Sequence, residues 1–358
     1  MQFPMLPGVE INLLLLALVS LTAGILSGFA GVGGAFVMTP ALIILGFPAS
    51  FAVGTSLIWV MGNSVVGAFR HRKLGNVDIQ LGLIMIIAAT SGVEVGVRII
   101  NWAKDSGLAD EVVLSISTCM LLLVGIYTLV ECVKRKQQLD KMLENNEELP
   151  SAMRQTSLSL KLQSINIPPM LNLAKSGITI SLWIILAIGF LIGTIVGVLG
   201  VGGGFVMVPA LVYLFGIPSF GAVGTGLFQI IFSAAYGSIR HTMSGNVIIF
   251  ASFIMIVVSS IGVQFGVLVT RYVRGVSMRL ILSISILISA IGAILRLLSI
   301  LVEKAAGWLE MGSLAVTFGG MGLILIMIAA LFMLAISYRR GQHIPTWIKS
   351  LVAKRELK

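Results

Sequence analysis

Charge is the scarcest thing in this sequence: Asp, Glu, Lys and Arg make up 11% of the 358 residues, against 57% hydrophobic, where soluble domains carry about a quarter charged residues. That shortage excludes a water-soluble fold. It is also uneven, because no charged residue occurs from Ile11 to Phe69 or from Ser176 to Ile239, and stretches of that length contain several bilayer crossings. Cysteine is limited to Cys119 and Cys132, which lie in one apolar segment without CxxC spacing or neighbouring metal ligands. They read as buried free thiols, and neither a metal site nor a cofactor is expected. The first ten residues contain no Lys or Arg, so the basic region of a cleavable signal peptide is missing and the first apolar run is expected to stay as a membrane segment.

What charge there is leans basic, with 24 Lys and Arg against 14 Asp and Glu and a net charge of +10. These residues stand between apolar runs and near the C-terminus, the pattern of loops held at one membrane face, so lipid rather than nucleic acid is the expected contact. Apolar runs occupy Ile11 to Leu45, Phe51 to Phe69, Val77 to Ile100, Val112 to Val133, Gly177 to Phe215, Phe220 to Ile239, Val247 to Val269, Leu280 to Leu298 and Gly312 to Tyr338. The polar stretch from Lys134 to Lys175 holds KRKQQLDK, ENNEELP and Pro168-Pro169. A solvated tether is the commoner meaning of such a run, and its first part also suits an amphipathic surface helix.

Internal repetition decides the architecture. GVGGAFVMTPALIILGFP from Gly31 to Pro48 recurs as GVGGGFVMVPALVYLFGIP from Gly200 to Pro218, AVGTSL at Ala52 as AVGTGL at Ala222, RHRKLGNV at Arg70 as RHTMSGNV at Arg240, and GVEVGV at Gly92 as GVQFGV at Gly262. The offset is 200 − 31 = 169 at the glycines and 240 − 70 = 170 afterwards, so one residue is inserted near Phe215. The first segment of each copy is too long for one crossing: about 35 residues span about 50 Å, against a hydrocarbon core of about 30 Å. Gly28, Gly31, Gly33 and Gly34 break it in the first copy, and Gly197, Gly200 and Gly202 to Gly204 in the second. Each segment therefore reads as a hairpin of two helical arms.

With a hairpin that enters and leaves on one face, three crossings remain per copy, and the copies insert in opposite orientations. Basic loops arbitrate. The inverted arrangement gathers Arg70 to Lys73, the linker, Arg271, Arg274, Arg279 and the tail with Arg339, Arg340, Lys354, Arg355 and Lys358 on one face; parallel copies would send the 271–279 loop and the tail outside. The expected fold is an all-α polytopic membrane protein of two inverted repeats plus one extra C-terminal helix. Residues 1–133 form the first repeat, 134–176 a cytoplasmic linker, 177–300 the second repeat, and 301–358 the extra helix and a basic cytoplasmic tail. The expected location is the cell (inner) membrane with the N-terminus outside, and copies so related enclose a site near the membrane centre.

Glycine permits unusual backbone angles and close approach. The N–H groups after Gly31, Gly33 and Gly34, at Ala35 and Phe36, and after Gly202, Gly203 and Gly204, at Phe205, carry partial positive charge suited to an anion; tight packing of small residues is the alternative use. Thr55 and Ser56, with Thr225 matching Thr55, stand near the start of the next helix, and Asn63, Ser64, Gln229 and Ser233 stand further along it. These uncharged donors suit an oxyanion shed of water, or else bond helix to helix. Arg70-His71 and Arg240-His241 end matching helices, and inversion sets them at opposite mouths of a pathway, where they attract anions or, at Arg70, anchor topology. Glu94 is the one carboxylate well inside an apolar run, with Arg98 one turn later: a structural salt bridge by default, a proton-coupling pair as the alternative. The second copy has Gln264 and Leu268 there, so that pair is not repeated.

Other chemistries lack their residues. Neither glycine run completes GxGxxG or carries a Walker lysine, no GxSxG occurs, and His71, His241 and His343 lie at segment ends or in the tail, so nucleotide binding and enzymatic activity are not expected. Acidic and thiol ligands are not clustered. A small anionic substrate, carried by a secondary transporter or facilitator, is the leading expectation; a membrane scaffold or assembly factor is the alternative, and a homo-oligomer stays open. The duplicated hairpin (GFAGVGGAFVMTPAL and GVLGVGGGFVMVPAL), the AVGTSL and AVGTGL elements and the RHxxxGNV elements together resemble the TauE/SafE sulfite exporter family of anion permeases, over both copies. That resemblance implies a multi-pass permease for small sulfur-containing anions such as sulfite or organosulfonates. The central linker and the final segment, Gly312 to Tyr338, exceed a minimal two-copy unit.

Overall fold

The computed structural model describes residues 12–31, 34–144, 157–173, 175–200, 202–273, 275–302 and 306–340. Gly33, Arg274, Glu303, the chain before residue 12 and the tail after residue 340, with Lys354, Arg355 and Lys358, lie outside the described residues.

Asn12 opens α1 (Leu13–Ala30), its side chain accepting from the Leu14 and Leu15 N–H groups at 3.0 and 3.4 Å and so satisfying donors that a helix start leaves free. Gly31, at φ 71°, ends α1 in the left-handed region, and Gly34, at φ 73°, opens α2 (Ala35–Ile44); a side chain at either φ would be strained. The second copy repeats the turn: α7 (Leu182–Leu199) stops at Gly200, φ 65°, and α8 (Gly204–Pro209) follows Gly203, φ 72°. Beyond Pro209 the arm continues as a π-turn, Ala210–Leu214, in which the Phe215 N–H donates to the Ala210 carbonyl at 3.3 Å. A π-turn is a helix with one residue added. It falls where the offset between the copies grows by one, so the insertion is absorbed inside the arm and the following helices keep their register.

Three long helices follow each hairpin: α3 (Ala49–Lys73), α4 (Ile79–Asp105) and α5 (Ala109–Glu144) in the first copy, α9 (Ser219–Met243), α10 (Ile249–Thr270) and α11 (Gly275–Leu301) in the second. With α1, α7 and a final α12 (Ala306–Arg339), nine helices among the described residues are long and apolar enough to cross a membrane. Cys132, on α5, is buried with its thiol 3.3 Å from the Val276 carbonyl, but Cys119 is exposed; a lipid-facing helix surface holds apolar residues without burying them in protein.

The stretch read as a solvated tether is partly built into the fold. α5 runs on to Glu144, α6 spans Ser157–Gln163, and β1 (Met170–Leu173) pairs antiparallel with β2 (Ile178–Ser181), Leu173 facing Ile178. Leu173, Ile178 and Ile180 are buried, which is what holds the hairpin down. At its tip Lys175 Nζ donates to the Val77 carbonyl at 2.7 Å and Ser176 Oγ to Asp78 at 2.5 Å.

The two copies pack through each other. α1 lies along α10 and α7 along α4. Gly24 sits against Ser259 and Gly28 against Val263, so α1 and α10 run in the same direction; Gly193 against Ala89 and Gly197 against Val93 give the same sense for α7 and α4. The equivalent helices α3 and α9 cross in opposite directions, Gly67 against Leu227 and Gly237 against Leu57. Trp59, Phe29, Phe36 and Phe205 are fully buried around this crossing and the hairpins.

Candidate functional site

The hairpin tips meet at the centre of the helix pack. A Cβ built on Gly202 would touch Val60 of α3 at 2.4 Å and Ile230 of α9 at 3.4 Å, and these are matching residues of the two copies, 230 − 60 = 170. Gly31 lies against Val223 and Gly200 against Val53, again a matching pair, with no room for a side chain at either glycine. The first residues of the return arms also converge: the Phe36 and Phe205 rings are 6.2 Å apart and tilted by 39°. Ala35 and Gly204 are the first residues of those arms. Behind the rings, a cavity of about 10 Å³ is lined by Phe36, Thr39, Pro40 and Phe205 among others, room for one water at most.

The polar side chains along α3 and α9 divide into two groups. Thr55 Oγ1 accepts from the Ile248 N–H at 3.1 Å, and Thr225 Oγ1 accepts from the Asp78 N–H at 2.9 Å. Each threonine thereby holds the start of a helix in the opposite copy. Ser233 Oγ donates to the Ile230 carbonyl at 3.4 Å. Asn63 Oδ1 accepts from Ser259 Oγ at 2.6 Å, and Trp59 Nε1 donates to the same Ser259 oxygen at 2.9 Å. Ser56 Oγ, Ser64 Oγ, Asn63 Nδ2 and both amide atoms of Gln229 are buried without a hydrogen-bond partner among the described residues. Gln229 occupies the position of Trp59 in the other copy (229 − 59 = 170), while the position of Ser259 is taken by Ala89 (259 − 89 = 170). Trp59 and Asn63 of the first copy thus share Ser259 of the second, while the sequence has no matching hydroxyl at Ala89 for Gln229.

The helix-end residues separate likewise. His71 and His241 are fully buried: Nε2 of His71 donates to the Gly28 carbonyl at 3.3 Å and Nε2 of His241 to the Gly197 carbonyl at 3.2 Å. Each histidine pins the end of its copy's long helix to the last turn of the first hairpin arm, so its ring is not at a surface. The arginines beside them reach the other copy. Arg70 Nη2 donates to Gln264 Oε1 at 2.8 Å; Arg240 clamps Glu94 through Nε at 2.7 Å and Nη2 at 3.0 Å. Tyr236 Oη donates to Glu94 at 2.9 Å and Arg98 Nε donates at 3.0 Å. Glu94 and Gln264 are matching positions, so the Arg98 pair is unique to the first copy but the contact across copies is duplicated, with a carboxylate in one and an amide in the other. Reading Glu94 with its near neighbour in sequence missed Arg240 and Tyr236; the common offset of Arg70 to Arg240 and Glu94 to Gln264 was the available signal.

The chain's relatives are membrane transporters by name. It is 25% identical over 244 residues to "Probable membrane transporter protein YunE" of Bacillus subtilis, covering 66% of this chain and 80% of that protein. It is 26% identical over 241 residues to "Probable membrane transporter protein YjnA" of the same organism, covering 65% and 83%. "Probable membrane transporter protein MJ0441" of Methanocaldococcus jannaschii is 25% identical over 209 residues, 55% of this chain and 60% of that protein. No solved structure matches. The profile described as sulfite exporter TauE/SafE matches residues 16–293 and again 185–346, overlapping as a duplicated sequence would. With the paired glycine hairpins and the helices that cross between copies, these matches place the molecule: it is a multi-pass membrane transporter and belongs to the sulfite exporter TauE/SafE family.

Proposed function

We propose that this chain is a secondary transporter or facilitator of small oxyanions, of the sulfur-containing class that includes sulfite and organosulfonates, and that it binds the anion between the two glycine hairpins and the inner faces of α3 and α9. The observation that carries this reading is the Gln229 amide, fully buried beside the crossing of α3 and α9 with no partner at either atom among the described residues. An unpaired buried amide costs about 1–3 kcal/mol, and a core of helices would carry a leucine at lower cost unless the amide met a ligand. Ser56, Ser64 and Asn63 Nδ2 add donors, and the arms that start at Ala35 and Gly204 add N–H groups directed away from the helix body. Gly33, outside the described residues, is assigned to the same site as the counterpart of Gly202.

Opposite insertion of the copies is part of the proposal. α3 and α9 run in opposite directions, and so do α5 and α11, with Gly125 against Leu287 and Cys132 against Val276; both facts support inversion in the membrane. Access would alternate as each hairpin rocks on the opposite copy's long helix.

The test is radiolabelled flux into liposomes holding purified protein, over sulfite, sulfate, thiosulfate, a sulfonate and a carboxylate. Gln229→Leu is expected to lower flux roughly tenfold or more, the loss of one hydrogen bond to a charged group, while leaving the melting temperature unchanged or higher because a buried unpaired amide has gone. Wild-type flux in Gln229→Leu, or no flux of any anion in the wild type, would overturn the proposal.

A further inference from the structure

Between α5 and α7 the linker turns its apolar residues the wrong way for a segment in water. Of the large apolar side chains from 158 to 167, Leu158, Leu160, Ile165 and Ile167 are exposed and Leu162 is half-buried, while Ser159 is fully buried. A helix that faces water hides its leucines and shows its serines; α6 does the reverse. Single exposed apolar residues are ordinary, but an inverted pattern along a whole segment marks an apolar contact.

The segment is fastened at the edge of the membrane-spanning part. Gln163 Nε2 donates to the Phe215 carbonyl at 2.9 Å, at the end of the second hairpin's return arm. The Leu182 N–H donates to the Pro169 carbonyl at 3.0 Å, and Trp183 Nε1 to the Pro168 carbonyl at 3.1 Å. Leu182 and Trp183 open α7, which is apolar and long enough to cross a bilayer. Trp183 is 57% exposed and heads a stripe, continued by Ala187 and Leu191 at helical spacing, that is exposed along α7. Lipid covers such a stripe, and a tryptophan at its head marks the level of the headgroups, where an apolar ring with a polar N–H sits best. Ile167 adjoins Pro168, so the apolar side of the linker begins where the stripe ends. The charge agrees. Lys161 is exposed between Leu160 and Leu162, and a long basic side chain reaches phosphate from such a place. No Asp or Glu occurs from residue 149 to 302, so nothing acidic along this stretch repels lipid phosphates.

We infer that residues 158–167 lie in the headgroup region of the bilayer, at the membrane end where α3 stops, and that the partner of the linker is the lipid surface itself. Its other side holds protein. Lys175 bonds to the Val77 carbonyl and Gln163 to the Phe215 carbonyl, so the linker joins the α3–α4 turn of the first copy to the return arm of the second, and the membrane steadies both through it. The inference does not rest on the anion proposed for the hairpin tips, nor on which face of the membrane that end occupies.

The experiment is spin-label accessibility in liposomes of phosphatidylcholine and phosphatidylglycerol, on the full chain carrying Cys119→Ser and Cys132→Ser. Leu160→Cys, Ile165→Cys and Ile167→Cys report on the linker, Leu191→Cys on a lipid-facing helix and Asp105→Cys on an exposed loop. Oxygen partitions into lipid and a charged nickel chelate stays in water, so the linker labels are expected to show an oxygen-to-nickel collision ratio roughly fivefold above that at 105 and within about twofold of that at 191. The ratio of position 105 at two or more of the three linker sites overturns the inference. Labels shielded from both reagents also overturn it, because protein, such as a second copy, then covers the segment. If the cysteine variants fail to fold, the wild type is photolabelled with a lipid carrying a diazirine near its headgroup. Adducts on the 158–167 peptide as well as on α7 support the inference, and adducts on α7 alone overturn it.

Discussion

Arg240 and Arg70 make the same reach across the copies and meet different chemistry, a carboxylate in Glu94 and an amide in Gln264. Glu94 has donors from Arg98, Arg240 and Tyr236 on its two oxygens, yet the three side chains are unequal in setting: Arg98 is 75% exposed and Arg240 30%. An exposed ion pair is worth little, while a half-sheltered bidentate pair with an added hydroxyl donor is worth more. A double-mutant cycle in thermal unfolding is expected to give a coupling of about 1 kcal/mol between Arg240 and Glu94, and close to zero between Arg98 and Glu94. Equal couplings would remove the distinction. Glu94→Gln copies the Arg70 contact and is expected to lower the melting temperature by only about 2–4 °C; loss of a pH-gradient effect on flux in the same variant is the outcome that supports proton coupling at Glu94.

At the scale of helices, the repeated GVEVGV and GVQFGV strings acquire a use. Gly92 and Gly96 of α4 press on α7, and Gly262 and Gly266 of α10 press on α1, with built Cβ atoms at 2.1 to 2.4 Å from backbone carbonyls. Backbone cannot give way as a flexible side chain can, so an added methyl forces the helices apart. Gly193→Ala, where the built Cβ stands 2.0 Å from the Ala89 carbonyl, is expected to reduce the yield of folded protein sharply in size-exclusion chromatography. Gly319→Ala, on α12 with nothing within 4 Å, is expected to be neutral or stabilising by up to about 1 kcal/mol from helix propensity. The repeats themselves were legible in the sequence, as were the glycine breaks and the inserted residue. The partners of those glycines were not, because a period of small residues marks a contact face without saying which helix covers it. The β1–β2 hairpin was missed for a related reason: MLNL and ITIS are too short to stand out beside runs of apolar helix. The polar residues of the candidate site were legible one by one as polar letters in apolar runs. That Thr55 and Thr225 are occupied by backbone N–H groups while Gln229 is not depends on contacts across 147 residues or more, which spacing alone does not encode.

For the whole molecule, the decisive arrangement is two copies that exchange partners, and their insertion in opposite directions is the part of the proposal that can be tested directly. Lys73 and Met243 hold matching, exposed positions at the ends of α3 and α9. With Cys119 and Cys132 replaced by serine, cysteine at 73 is expected to react with a membrane-impermeant maleimide only from the inner face, and cysteine at 243 only from the outer face. Labelling of both from one face would mean parallel copies. The same exchange of partners has a consequence for synthesis. α1 finds the surface that covers Gly24 and Gly28 on α10, and 249 − 30 − 1 = 218 residues lie between the end of one and the start of the other. At roughly 5–20 residues per second, the ribosome leaves α1 unpaired in the lipid for roughly ten seconds to three-quarters of a minute. During that interval its small-residue face is open to any other helix in the insertion machinery, so α1 is made long before the helix that covers it.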